Sequence, residues 1–460
     1  MHSATYSLTI GTLAVFAAGW FVVKGYNAKG ILFGIGLVLL AIALASGYPI
    51  IDAPSGHPVS DICNYLYDLF KERGGGLGML IMIFVGFSAY MSHVGANDVV
   101  IRILYKPLRY VNSPYAVMSG GFLLGALMSI AINSATALGL FLMATLFPIM
   151  TRLGISVPSA AAICSSTMMV NLSLTAADVI YASEKANMDI IGFAVKTLMP
   201  MSFIALLCAA IAHFYWQRYC DRREGLLQNT GGAEAAIDTA EAAALKTDAP
   251  TGYAILPFLP IIGLFIFDGT IAAEISLGGL VILTVLITAL LEYARARSAE
   301  KAYEGLEVLY LGMAEGFSGV VMLLIAAGVF AHGLESIGFV NALITAAQGI
   351  GTGVNLIMLI LVVVTLLVTI ATGSGNAAFF AFVELVPKLA GQMGFNPVYL
   401  IAPMMQISNT GYSLSPVSGV MVAVSGAAKI SPLLLVKRNS VPSLTAATVV
   451  VIYTMLILPK

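Results

Sequence analysis

Residues 371–380 read ATGSGNAAFF, and they follow LIMLILVVVTLLVTI at 356–370. An uncharged apolar run thus passes directly into Gly-Ser-Gly-Asn. Glycine is a poor helix former, and Ser and Asn compete for backbone hydrogen bonds. In a bilayer, backbone N–H and C=O groups have no water to pair with. A helix can therefore unwind at membrane depth only where protein or a water-filled cavity surrounds the break. The unwound tip exposes the N–H groups of the next half-helix, whose partial positive charge suits an anion. The carbonyls and the Ser and Asn oxygens suit a cation such as Na⁺. The stretch reads as a substrate or ion cradle. The competing reading is a Gly/Ser packing kink between helices.

Composition places the chain in the membrane. Its 460 residues are 59% hydrophobic and 10% charged, against about 25% charged in soluble domains. Mean hydropathy is +0.95. The formal net charge of −1 offers no basic surface for nucleic acid. Cys63, Cys164, Cys208 and Cys220 show no metal-type spacing and read as packing residues. The N-terminus lacks a charged leader, so residues 7–23 read as a retained span.

Apolar runs of crossing length fall near 7–23, 30–47, 76–92, 192–216, 253–268, 272–292, 306–333 and 441–458. Polar residues interrupt four more. Regions 114–150 and 354–389 read as re-entrant hairpins, and 158–188 and 397–428 as broken helices. The expected fold is an all-α polytopic membrane protein with about ten crossings, two hairpins and two broken helices. Lys and Arg in the short loops set the orientation. The clusters are Lys24/Lys29, Arg102/Lys106/Arg109, Arg152, Arg218/Arg222/Arg223, Arg295/Arg297/Lys301 and Lys429/Lys437/Arg438. Ten crossings with both termini periplasmic put all of them in the cytoplasm, and put a loop with Asp52, Asp61 and Asp68 outside. Residues 225–252, rich in Ala, Gly and Thr, read as a cytoplasmic linker between halves 1–224 and 253–460.

The halves repeat. Ser134-Ala135-Thr136 matches Ser374-Gly375-Asn376, Pro148 matches Pro387, and Gly154 matches Gly394, all near one offset. The span at 76–92 runs inward and its counterpart at 306–333 outward, so the repeats are inverted, as in many secondary transporters. Four breaks, paired by the repeat, then outline one site. Its substrate-binding candidates are Asn133, Ser134, Thr136, Asn171, Thr175, Ser374, Gly375, Asn376, Asn409, Thr410, Gly411, Tyr412, Ser413 and Ser415. Candidates for a coupling ion, Na⁺ or a proton, are Ser134, Asp178, Gly373, Asn376, Ser408 and Asn409, with Asp178 an ionisable residue at membrane depth. Glu384 and Lys388 read as an i,i+4 pair. No metal beyond Na⁺ and no other cofactor is expected. HExxH, GxSxG and P-loop patterns are missing from the chain, which argues against an enzyme or an ATP-driven pump. Paired hairpins meeting at mid-membrane argue for an occluded carrier site over a channel.

With these residues in place the chain resembles the anaerobic C4-dicarboxylate carrier family, DcuC type, of the ion transporter superfamily. The resemblance rests on KGYNAKGILF (24–33), SHVGANDVV (92–100), TGSGNAAFFAFVELVPKL (372–389), LSPVSGVMVAVSG (414–426) and AKISPLLLVKRNSVP (428–442). It covers nearly the whole chain in order. It implies an elevator-type secondary transporter in the bacterial inner membrane, a homodimer, and succinate or fumarate as cargo. The chain departs from the pattern at the site. Where the family reads close to LAPTSGD, residues 172–178 are LSLTAAD. Where the family has Arg in an NLGR-type run, Asn409-Thr410-Gly411 is followed by Tyr412. Loss of that cation predicts weak succinate binding and favours one carboxylate plus an amide, hydroxyl or ammonium, as in an amino acid or sugar–amino acid conjugate.

Overall fold

The computed structural model describes residues 4–24, 26–51, 54–105, 113–226, 248–267, 272–339, 341–342 and 353–460. Every regular element among them is a helix. The first half begins with α1 (Ala4–Val23) and α2 (Ala28–Ala45), the latter capped by the Asn27 side chain. Then come α3 (Pro58–Gly75), α4 (Leu77–His93) and α5 (Ala96–Tyr105). Hairpin one is α6 (Pro114–Met128) and α7 (Ala135–Arg152), and broken helix one is α8 (Val157–Ser166) and α9 (Ala177–Lys185). The half closes with α10 (Ile190–Arg223), which carries a π turn at Ala194–Leu198.

In the second half a 3₁₀ segment, Thr251–Phe258, leads into α11 (Leu259–Ile266). The expected single span at 253–268 is therefore two short pieces. Pro257 and Pro260 remove amide donors where a continuous helix needs them. Next are α12 (Leu277–Ala296) and α13 (Ala299–Ser336). Hairpin two comprises α14 (Val354–Thr372), α15 (Gly375–Val383) and α16 (Val386–Met393). Broken helix two is α17 (Val398–Tyr412) and α18 (Gly419–Ala428), and α19 (Pro432–Ile457) ends the chain.

Among the described residues, seven helices are long and apolar enough to cross a membrane, and the bent α3–α4 pair would make an eighth. The expected ten crossings include 253–268 and the two broken helices, which consist of shorter pieces. One expectation is corrected outright. The presumed acidic loop around Asp61 and Asp68 is helix α3, which meets α4 at a 42° bend. Ile62, Tyr65, Leu66 and Leu69 form its inner stripe, and Pro58 starts it at a position where a missing amide costs nothing.

Corresponding helices begin at nearly constant separation. Hairpin arms start at 114 and 354 (240 apart) and at 135 and 375 (240). Broken-helix pieces start at 157 and 398 (241) and at 177 and 419 (242), and α10 and α19 at 190 and 432 (242). Mated turns match as well: Gly154 and Gly394 both have positive φ, 81° and 75°. Residues 227–247 of the expected linker, and Lys106 and Arg109, lie outside the described residues.

Packing separates the helices into two groups. Helices α2 and α4 both pack on α13, with α3 and α12 beside α4. In the other group α10 packs on α19 and α6, α14 on α17, and α7 on α8 and α18. A buried polar cluster ties the second group together. Arg438, fully buried on α19, pairs with Asp221 at 2.6 Å and Glu224 at 2.5 Å, and donates to Ser159 Oγ at 2.9 Å. Lys437 and Arg438 are thus residues of α19 and not of a loop, and Arg438 cannot serve as an orienting loop charge.

Candidate functional site

A cavity of about 310 Å³ lies where the four breaks meet. Four helices begin on its wall: α7 at Ser134-Ala135-Thr136, α9 at Ala176-Ala177-Asp178, α15 at Ser374-Gly375-Asn376, and α18 at Ser418-Gly419-Val420. The first amides of a helix have no intrahelical acceptor and carry the positive end of its dipole. Ser134 Oγ accepts from Ala137 N at 3.3 Å, and its repeat mate Ser374 Oγ from Ala377 N at 3.2 Å. The starts of α9 and α18 have no side-chain cap. Ser418 Oγ instead donates to the Tyr412 carbonyl at 2.7 Å.

Two glycines let the hairpin-two tip reach this position. Gly373 ends α14 in the left-handed region at φ 72°, giving its N–H to Thr369 O at 2.8 Å. A Cβ on Gly375 would come within 2.5 Å of the Ser408 carbonyl. Only glycine lets the tip rest on the second broken helix so closely.

The polar floor is centred on Asp178, 4% exposed. Asn171 Nδ2 donates to its two oxygens at 2.9 and 3.1 Å, and Asn409 Nδ2 donates to Oδ2 at 2.6 Å. Backbone partners fix both amides. Asn171 Oδ1 accepts from Ser173 N at 2.8 Å, and Asn409 Nδ2 also donates to Met405 O at 3.1 Å. Asn133 Nδ2 donates to Thr175 Oγ1 at 2.9 Å and receives Ser173 Oγ at 2.8 Å on its own oxygen. Gln406 locks the two breaks together, accepting from Asn171 N at 2.8 Å and donating to Asn171 O at 3.1 Å. The Tyr412 hydroxyl donates to the Met168 carbonyl. No Lys or Arg lines the cavity among the described residues.

Of the residues expected at the site, Asn133, Ser134, Thr136, Asn171, Thr175, Asp178, Gly373, Ser374, Gly375, Asn376, Asn409 and Tyr412 line this cavity. Five do not. Ser408 bonds Met405 O at 2.7 Å, Thr410 bonds Met169 O at 2.8 Å, and Ser413 meets Ser443 Oγ at 2.8 Å. Gly411 packs on Thr369, and Ser415 is fully buried behind the break. These five hold the break in shape. Sequence reasoning missed Gln406, whose signal was an amide one turn ahead of the Ser408-Asn409 break. It also missed the apolar wall formed by Ile81 and Val85 of α4 and Val320 of α13, which carries no local signal.

The expected Glu384–Lys388 pair is not formed. Glu384 binds Arg73 at 3.0 Å and Lys185 at 2.7 Å, while Lys388 binds Glu335 at 2.5 Å. Arg73 also meets Glu184 at 3.3 Å. This network joins α3 to α9 and to the end of α15, the two helices whose first residues line the cavity.

Comparison with known proteins agrees with the fold. The family model described as C4-dicarboxylate anaerobic carrier matches residues 6–459. The Escherichia coli K12 protein "Anaerobic C4-dicarboxylate transporter DcuC" is 47% identical over 455 residues, covering 98% of this chain and 97% of that one. The Vibrio cholerae "Probable anaerobic C4-dicarboxylate transporter DcuC" is 44% identical over 465 residues, covering 100% and 99%. The crystal structure of the Alcanivorax borkumensis YdaH transporter superposes with a TM-score of 0.64 at 14% identity, over 94% of this chain and 99% of that one. At that identity it speaks for the fold alone. The alternative cargo drawn from Tyr412, an amino acid or its sugar conjugate, finds no support among these relatives. The chain belongs to the DcuC family of C4-dicarboxylate anaerobic carriers, and it is an all-helical, multi-pass membrane transporter and not an enzyme.

Proposed function

We propose that this chain carries a C4-dicarboxylate such as succinate or fumarate across the bacterial inner membrane by alternating access. The observation that carries the reading is the meeting of four helix N-termini on one cavity with no Lys or Arg among its described lining residues. Backbone dipoles there supply the positive potential that a dianion needs. The polar walls come from the hairpins and broken helices, and the apolar wall, Ile81, Val85 and Val320, comes from the α2–α4–α13 group. A cavity between two packing groups is the arrangement an elevator movement uses: one group carries the site past the other. Asp178 in the same cavity repels a dianion unless a cation accompanies it, so the cargo moves with Na⁺ or a proton bound at Asp178.

Counterflow tests the carrier reading. Proteoliposomes preloaded with unlabelled succinate should accumulate labelled succinate transiently. Accumulation driven by an amino acid and not by succinate would overturn the cargo. Imposing a Na⁺ or a pH gradient separately identifies the ion. The same proposal includes inverted repeats, a cytoplasmic 225–252 linker, periplasmic termini and a homodimer. Reporter fusions at the linker and at Lys460 should report opposite sides, and finding one side for both would break the topology.

A further inference from the structure

We propose that a second cavity, behind the tip of hairpin two, holds an acyl chain of an anionic phospholipid whose presence sets the position of that tip. This cavity, about 510 Å³, lies between α1 and α2 on one side and α14 and α15 on the other. Small-molecule sites run from roughly 300 to 1,000 Å³. Its walls are almost wholly apolar, as at Val15, Ala18, Leu32, Phe330, Leu367 and Ala381. Phe16 and Trp20 stand on its rim, 73% and 60% exposed, so it opens on the outer face of the helices.

Charge at the rim selects the occupant. The Lys24 ammonium sits over the Trp20 ring, 4.9 Å from its centroid, at the end of α1. A Trp–Lys pair at a helix end marks the headgroup level, where a cation attracts lipid phosphate. One molecule meets both features: a long apolar chain for the cavity, ending in an anionic head at Lys24. A zwitterionic lipid would match the cavity but offset its phosphate with its own ammonium, so Lys24 favours the anionic head.

The position of the cavity gives it leverage. Thr372 and Ala377 line the apolar cavity, while Gly373, Ser374, Gly375 and Asn376, the four residues between them, line the polar one. The tip is a partition with substrate on one face and acyl chain on the other. A chain in place holds the tip against the polar cavity. An empty space lets it fall back.

Gly19 permits a direct test. Gly19 lines the cavity and a Cβ there meets nothing within 4 Å, so the side chain of Gly19→Phe starts in open space beside it. Trp20 supplies the signal, because Trp216 is the one other tryptophan and can be replaced by Phe. The Trp216→Phe protein is reconstituted in phosphatidylcholine with rising fractions of dibrominated phosphatidylglycerol. Trp20 fluorescence should be quenched saturably at low phosphatidylglycerol fraction. Lys24→Gln should weaken that affinity about fivefold, the equivalent of about 1 kcal/mol for one basic residue near the surface. Gly19→Phe should abolish the saturable phase. Quenching that rises linearly and identically in Gly19→Phe would show ordinary lipid contact and overturn the site. Equal quenching by brominated phosphatidylcholine would overturn the anionic head. The link to the tip rests on the proposed transport function and is read separately. Succinate affinity should rise several-fold when phosphatidylglycerol saturates the site, and unchanged affinity would refute the link while leaving the quenching result intact.

Discussion

Replacing Asp178 with Asn removes one charge and turns one acceptor into a donor at the centre of the cavity. The wild-type carboxylate receives amide donors from Asn171, at 2.9 and 3.1 Å, and from Asn409, at 2.6 Å. Neither partner can turn its oxygen inward, because Ser173 N and Met405 O already fix both amides. An Asn at 178 offers one oxygen and one NH₂, so one partner must face a second donor. A charge-assisted hydrogen bond contributes about 1.5–3 kcal/mol and a neutral one about 0.5–1.5 kcal/mol. One charged bond lost and the other reduced to a neutral one sum to about 2.5–4.5 kcal/mol. That loss falls on the joint between the two broken helices, since Asn171 follows α8 and Asn409 lies on α17.

The assay is uptake of labelled succinate into proteoliposomes under Na⁺ or proton gradients, with thermal unfolding of the detergent-solubilised protein alongside. Asp178→Asn should lower gradient-driven uptake at least about sixtyfold, the equivalent of about 2.5 kcal/mol, and lower the melting temperature. Exchanging the pair, Asp178→Asn with Asn409→Asp, should recover part of the stability, because one donor then meets one carboxylate again. Wild-type ion dependence in Asp178→Asn would refute the assignment of the coupling cation to this carboxylate. Unchanged melting would refute the hydrogen-bond argument.

Three other substitutions probe separate parts of the frame. Gly375→Ala puts a methyl group 2.5 Å from Ser408 O; overpacking of this kind costs about 1–3 kcal/mol, so succinate affinity should fall at least about fivefold in equilibrium binding. Arg438→Met leaves Asp221 buried without its cation, a loss of about 3–5 kcal/mol visible in thermal unfolding, and Asp221→Asn in the same chain should restore part of it. Tyr412→Arg places a cation on the cavity wall and should strengthen succinate competition about tenfold or more through a charge-assisted bond; unchanged competition would mean that residue 412 does not reach the cargo.

Much of the frame was legible because its signals are local. Gly373 to Asn376 stand out in an apolar run, and Ser134 and Ser374 cap helices that begin 240 residues apart. What escaped depends on contacts between distant segments. Arg73 reads as one of several charges after Leu69, yet it holds Glu384, more than 300 residues away. Arg438 reads as a loop cation, yet Asp221 and Glu224 draw it into the core. Helix α3 escaped because its charges, Asp61, Asp68, Lys71, Glu72 and Arg73, obscure an apolar stripe that matters only once α13 covers it. The inward face of Tyr412 was legible, but its bond to Met168 was not.

The arrangement of the four helix starts is what supports the proposal that a cavity with no Lys or Arg among its described lining residues takes two carboxylates. Helix α7 of the first half packs on α18 of the second, and α15 of the second packs on α9 of the first. The two halves of the chain therefore interlock, and each crossing sets two helix starts on the cavity wall. One crossing presents Ser134 to Thr136 with Ser418 to Val420, and the other presents Ser374 to Asn376 with Ala176 to Asp178. With the proposed cation neutralising Asp178 in the second pair, two positive ends face a cargo with two negative ends. A monoamide of succinate tests this directly, since it keeps the shape and removes one charge. Helix-end charges contribute about 0.3–1 kcal/mol each, and up to about 2 kcal/mol where partly buried. Losing the charge that two starts share should cost about 1–4 kcal/mol, or from about fivefold to several hundredfold in affinity. Competition against labelled succinate measures it. A monoamide that competes as well as succinate would mean that the second pair of helix starts does not hold a carboxylate, and the case for a dicarboxylate built on paired helix ends would fall.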